Sequence, residues 1–275
     1  MKRPALILAA SLSLLACSQN NSSVTVSGSS TVLPVVSKAA DIYRAQTTDT
    51  VIVNSGGSGA GFSQLARGLT DIGMMSRGIT ESERAQYPDV TITAIAIGRD
   101  AVVPVVSSEI YNAGVTVLTP AQIADIYRGK IQSWDELGGP DRDILVIDKE
   151  ASRGTRHVFM QAIMGEKEPQ AAGADLVLGS NNEEQTALTQ SDSAIGMLSV
   201  AWLNDDIKGL TLDMGDVRIE PSLKNVSAGL YPISRNLNIV VRSDISPAAK
   251  AFADFLRSPQ GQAQVESAGY IRIAP

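Results

Sequence analysis

The chain of 275 residues has one cysteine, one histidine and few aromatic side chains, only 4% in all. With Cys17 alone, no internal disulfide can form, and a folded part of this size does not need one. A single histidine, His157, and a single cysteine offer no metal-ligand spacing. They also provide no Ser-His-Asp arrangement beyond what composition supplies by chance. The scarcity of aromatics argues against a stacking platform for nucleic acid or sugar. A basic excess is missing as well: the net charge is −6, where a nucleic-acid binder would show the opposite sign. What is abundant is small and hydroxyl-bearing, and 44% of the residues are hydrophobic, enough for a substantial core.

The first residues stand apart from the fold. Lys2 and Arg3 precede an apolar stretch from Pro4 to Leu15, too short for the roughly 20 residues of a spanning helix. Residues 1–16 therefore read as a signal peptide. Leu14-Leu15-Ala16-Cys17 resembles a bacterial lipobox, which predicts lipidation of Cys17, and residues 17–23 read as a polar tether. Beyond them, short β-branched runs alternate with amphipathic helical stretches, the pattern of an α/β protein. Thr91–Ile97 and Ala101–Ser107 read as two strands separated by Gly98-Arg99-Asp100. The second is long enough to cross between domains, and Leu237–Arg242 reads as the strand that returns. No transmembrane helix follows the signal.

Four segments share one character. Ser27-Gly28-Ser29-Ser30-Thr31-Val32 follows a β-prone run and leads into a helix. The unpaired N–H groups of such a helix start, with hydroxyls beside them, suit an oxyanion. Ser and Thr at a helix start commonly serve as plain caps, so one turn is weak evidence. Asn54-Ser55-Gly56-Gly57-Ser58-Gly59-Ala60-Gly61 is a second strand-to-helix segment, from which glycines bring amides close to a ligand. Its spacing differs from the dinucleotide fingerprint, and no Lys-Ser or Lys-Thr follows as a P-loop requires. Ser76 and Arg77 end the short strand of Asp71-Ile72-Gly73-Met74-Met75, and arginine carries a planar fork suited to phosphate. Lys149-Glu150-Ala151-Ser152-Arg153-Gly154-Thr155-Arg156 packs several donors ahead of a further helix. Together the four turns predict a tetrahedral oxyanion held by amides, hydroxyls and arginine between two lobes.

In this order the segments resemble the periplasmic phosphate-binding proteins of ABC-type phosphate transporters, and the likeness includes Ala194-Ile195-Gly196 and Tyr231-Pro232-Ile233-Ser234-Arg235. The resemblance implies a two-lobed periplasmic-binding-protein (Venus-flytrap) fold with mixed sheets flanked by helices and two crossover strands as hinge. Residues 24–98 and 235–275 are expected to form lobe I and residues 99–234 lobe II. It implies a non-enzyme that binds inorganic phosphate without a cofactor or metal and delivers it to permease subunits. Its expected place is the periplasmic face of a bacterial membrane, or the extracellular surface, through a lipid anchor at Cys17. Carried over by position, Ser30, Thr31, Val32, Ser58, Ser76, Arg77, Ser152, Arg153, Gly154 and Thr155 would contact the anion. Arg153 replaces a serine of the family pattern, Lys149 an arginine, and Arg77 an aspartate that some members use to accept the ligand proton. Another tetrahedral oxyanion (sulfate, molybdate or a phosphonate) and a surface adhesion or signalling role are the alternative readings.

Overall fold

The computed structural model describes residues 22–165 and 170–273. The signal-like segment, Cys17 and most of the tether lie outside the described residues. In chain order the strands are β1 (Ser23–Gly28), β2 (Thr50–Ser55), β3 (Ile72–Met75), β4 (Ile92–Ser107), β5 (Val117–Leu118) and β6 (Leu145–Lys149). They continue with β7 (Leu176–Leu178), β8 (Ala194–Ser199), β9 (Ile207–Gly209), β10 (Thr211–Asp213), β11 (Arg218–Ile219) and β12 (Ser234–Arg242). The main sheet runs β2-β1-β3-β12-β4-β8-β6-β7, with β9 also on β4, and a small sheet runs β11-β10-β5.

Strand β1 is parallel to β2 and β3, whereas β12 enters antiparallel between β3 and β4. The two strands expected around Gly98-Arg99-Asp100 are one strand of 16 residues. The supposed break is itself paired: Gly98 faces Leu237, Arg99 faces Asn236 and Asp100 faces Arg235. The irregularity lies one residue earlier in β4: Leu237 faces Gly98 and Asn238 faces Ala96, which leaves Ile97 as the extra residue of a bulge. The first part of β4 therefore belongs to one lobe, while Val102–Val106 pair with β8 in the other.

Apolar packing divides at these crossings. One core draws on residues from Val24 to Ile97 and from Leu237 to Tyr270, and a smaller cluster of Phe62, Leu65, Ala66, Met75, Ile92 and Val240 lies apart from it. The other lobe's core is built from residues between Ala101 and Ile233. Start signals place the helices around these cores. Leu33–Gln46 carries proline in its first turn and buries Val35, Val36, Ala39, Ala40 and Tyr43. Thr119 caps Pro120–Tyr127 through a reciprocal box with Gln122, and Thr80 does the same with Glu83 for Glu81–Gln86. The helix after the glycine-rich segment spans Ser58–Ala66, so that Ser58, Gly59, Ala60 and Gly61 are already helical, because Gly57 turns the chain at φ 86° and ends the loop early.

Candidate functional site

The strand ends of the two lobes face one another across a small, tight cavity. Ser29–Thr31 follow β1, Gly57 and Ser58 follow β2, and Ser76 follows β3. From the other lobe come Lys149 at the end of β6, Arg153–Thr155 at the start of the helix Gly154–Met164, and Gly179–Asn181 after β7. The wall is almost entirely hydroxyls, amides and cations. Among the described residues that line it there is no carboxylate.

The hydroxyls form two pairs. Ser58 Oγ accepts the Ser76 N–H at 3.1 Å and lies 3.4 Å from Ser76 Oγ. Thr31 Oγ1 lies 3.3 Å from Thr155 Oγ1, across the lobes, and accepts from Asn181 Nδ2 at 3.0 Å. Gly154 allows the second lobe to come this near. A Cβ there would stand 2.3 Å from Ser58 Oγ and 2.5 Å from Ser76 Oγ. The first amides of the helix Gly154–Met164 thus meet the serines of lobe I, with the positive end of the helix dipole at the cavity.

Two buried cations back the hydroxyls. Arg235, on β12, donates from Nη1 to Thr155 Oγ1 at 3.0 Å and to the Ser76 carbonyl at 3.3 Å. Its Nε and Nη2 donate to Asp100 Oδ2 at 2.9 and 2.7 Å, and Ser199 Oγ donates to the other carboxylate oxygen at 2.7 Å. Burial pushes the Asp100 carboxyl up, against the pull of Arg235 and Ser199. Lys149 pairs with Glu184 and donates to Asn181 Oδ1 at 3.1 Å. Burial lowers this amine and raises the Glu184 carboxyl, and the attraction between the two groups opposes both shifts. Both carboxylates therefore hold the cations from behind rather than facing the cavity.

The structure brings Ser30, Thr31, Ser58, Ser76, Arg153, Gly154 and Thr155 to one wall. It places three other expected residues elsewhere. Val32 sinks its side chain into the core, and its N–H donates to the Ser29 carbonyl at 3.2 Å. Ser152 is exposed, and its carbonyl accepts the Gly59 N–H at 3.0 Å. Arg77 forks onto Glu83, with both nitrogen–oxygen distances 2.7 Å, and turns away from the cavity. The competing carboxylate belongs to the capping box, where Glu83 also accepts from the Thr80 N–H. Burial pushes the Glu83 carboxyl up, but hydrogen bonds from Arg77 and Thr80 outweigh it and hold it below the usual range. Arg235 and Asn181 were missed as site residues. Asn181 had a signal in the Ser180-x-x-Glu183 helix start, where Ser180 Oγ accepts the Glu183 N–H. Arg235 had its place in the Tyr231-Pro232-Ile233-Ser234-Arg235 segment ahead of an apolar strand, which marks the second crossing but not a contact with the cleft.

Two α/β lobes, joined by crossing strands and closed around a donor-lined cleft, define a two-lobed binding protein. Residues 16–260 match the PBP superfamily domain. The chain is 32% identical over 254 residues to the phosphate-binding protein PstS of Bacillus subtilis (strain 168), covering 91% of this chain and 81% of that one. A crystal structure from Clostridium perfringens, of a phosphate ABC transporter substrate-binding protein with bound phosphate, superposes with a TM-score of 0.83 at 28% identity, over 92% of this chain and 100% of that one. An ABC-type phosphate transport receptor from Vibrio cholerae gives 0.74 at 30% identity, again over 92% and 100%. The chain belongs to the PBP superfamily and, within it, to the family of PstS-type phosphate-binding proteins.

Proposed function

We propose that this protein binds inorganic phosphate between its lobes and delivers it to the permease of an ABC transporter. The observation that carries the reading is the meeting of Ser58 and Ser76 from one lobe with Gly154 and Thr155 from the other, at a helix N-terminus backed by Arg235. Such a wall gives a tetrahedral anion a donor on every side. The reading of binding rather than turnover is supported by the lining itself, in which the described residues present hydroxyls, amides and cations and no imidazole or carboxylate to activate a hydroxyl. The Leu-Leu-Ala-Cys sequence supports a lipid anchor at Cys17, which would keep the protein at the periplasmic face of a bacterial membrane or at the extracellular surface. The relatives named for phosphate binding support the same ligand and partner.

Calorimetry tests the reading. Phosphate is expected to bind one-to-one and to tighten between about pH 5 and about pH 8, because donors and cations favour the more highly charged anion. Sulfate, molybdate and a phosphonate are the comparison ligands. No heat with phosphate beside clear binding of one of these would overturn the phosphate assignment and leave the cleft to that other oxyanion.

A further inference from the structure

Arg153 has two surroundings. It lines the inner cavity, and it also lines an open groove of ≈ 450 Å³ with Ser55, Gly56, Glu150, Val177 and Glu183 among its walls. Gly179 and Ser180 are common to both spaces, but only Arg153 brings a long side chain to the boundary. Its guanidinium spans the two lobes there. A Cβ on Gly57, in lobe I, would stand 2.9 Å from Arg153 Cδ and 3.0 Å from Nη1, and one on Gly179, in lobe II, 3.1 Å from Nη2. Nε donates to Glu150 Oε2 at 2.8 Å, and Nη2 pairs with the same oxygen. Glu150 lines the groove alone and is absent from the inner wall.

We propose that Arg153, pinned by Glu150, is a gate that confines the site to unsubstituted tetrahedral oxyanions. The proposal rests on the phosphate reading. An inorganic anion keeps all four oxygens inside the cavity. A phosphate monoester carries a substituent that has to leave it, and the adjoining space is the groove behind Arg153. With the guanidinium in place that passage is closed by a charged, planar group lying against glycine on both sides. The gate is also mobile without the lobes parting. Glu150 is half exposed, so the ion pair that holds Arg153 is weak, and rotamer changes of such side chains are fast. Arg153 accordingly determines specificity, and Glu150 positions it.

The test uses the full chain. Phosphate titration of the wild type stands first, and its failure would sink the phosphate reading rather than the gate. Methyl phosphate and glycerol 3-phosphate are then competed against phosphate. Wild type is expected to reject both by about 100-fold or more, and Arg153→Ser to narrow that ratio to about tenfold or less. Glu150→Gln is expected to raise the association and dissociation rates of phosphate together, each by about threefold or more in stopped flow, with Kd within about twofold. A gate predicts this paired change, whereas loss of a ligand contact raises dissociation alone. The proposal falls if wild type accepts the esters as it accepts phosphate, if Arg153→Ser leaves the ratio unchanged, or if Glu150→Gln alters Kd through dissociation only.

Discussion

Arg77 and Arg235 carry the same side chain and stand within reach of the same cleft, yet their carboxylate partners send them to different tasks. Arg77 is held by Glu83, inside a capping box, and Arg235 by Asp100, on the crossing strand beside it. The motif around Arg77 was visible in the chain, but which carboxylate captures an arginine depends on distances that spacing does not encode. The hydroxyls of Ser30, Thr31, Ser58, Ser76 and Thr155 were more legible, because their segments join a strand to a helix at the lobe edge, although the same rule misplaced Ser152. Glu83→Gln separates the two arginines. The folded Glu83 carboxyl titrates below its usual range, so its contribution to stability is present above that range and disappears as pH falls through the folded value. Urea unfolding should show a loss of about 1–3 kcal/mol at pH 7, closing as the pH drops below about 4. Phosphate affinity should stay within about twofold, since Arg77 and Glu83 lie outside the cavity wall. A large loss of affinity would return Arg77 to the site.

Among the elements, the helix Gly154–Met164 makes the sharpest demand. Its first residue must lack a side chain for the lobes to meet, as the 2.3 Å and 2.5 Å approaches to Ser58 and Ser76 show. Gly154→Ala should weaken phosphate binding by at least about tenfold, or about 1.4 kcal/mol. Thermal stability of the free protein should hold or rise, because alanine suits a helix better than glycine. A fall in both quantities together would mean that the substitution damages the fold rather than closure. Helix starts such as Thr119-Pro120-Ala121-Gln122 were legible because capping is a local rule. Strand β4 was not. Gly98-Arg99-Asp100 reads as a break by composition, and only pairing with residues some 135 positions away keeps it in the strand, as between Asp100 and Arg235.

In the whole molecule, α/β alternation and the order of the four turns made the two-lobed class readable. The strand order was not, since nothing local says that β12 inserts between β3 and β4. That insertion sets Arg235 where it touches both lobes at once: Asp100 on the other crossing strand, the Ser76 carbonyl on one side and Thr155 on the other. Arg235→Lys keeps the charge but loses the fork. Phosphate affinity should fall by about 10- to 100-fold, and small-angle scattering should show less compaction on adding saturating phosphate than wild type shows. Unchanged affinity would remove Arg235 from the site.

The same insertion has a consequence for the order in which the chain can assemble. The buried core between Ala101 and Ile233 comes from one uninterrupted stretch, and Ile271 alone among the described residues packs onto it from farther along the chain. The sheet of the first lobe waits for residues 234–242, because until they arrive β3 and β4 have no strand between them. The middle of the polypeptide can therefore mature while its beginning remains unfinished, and the last strand to appear completes the sheet of the first lobe and delivers Arg235 to the cleft in a single step, ahead of the two helices that finish its core.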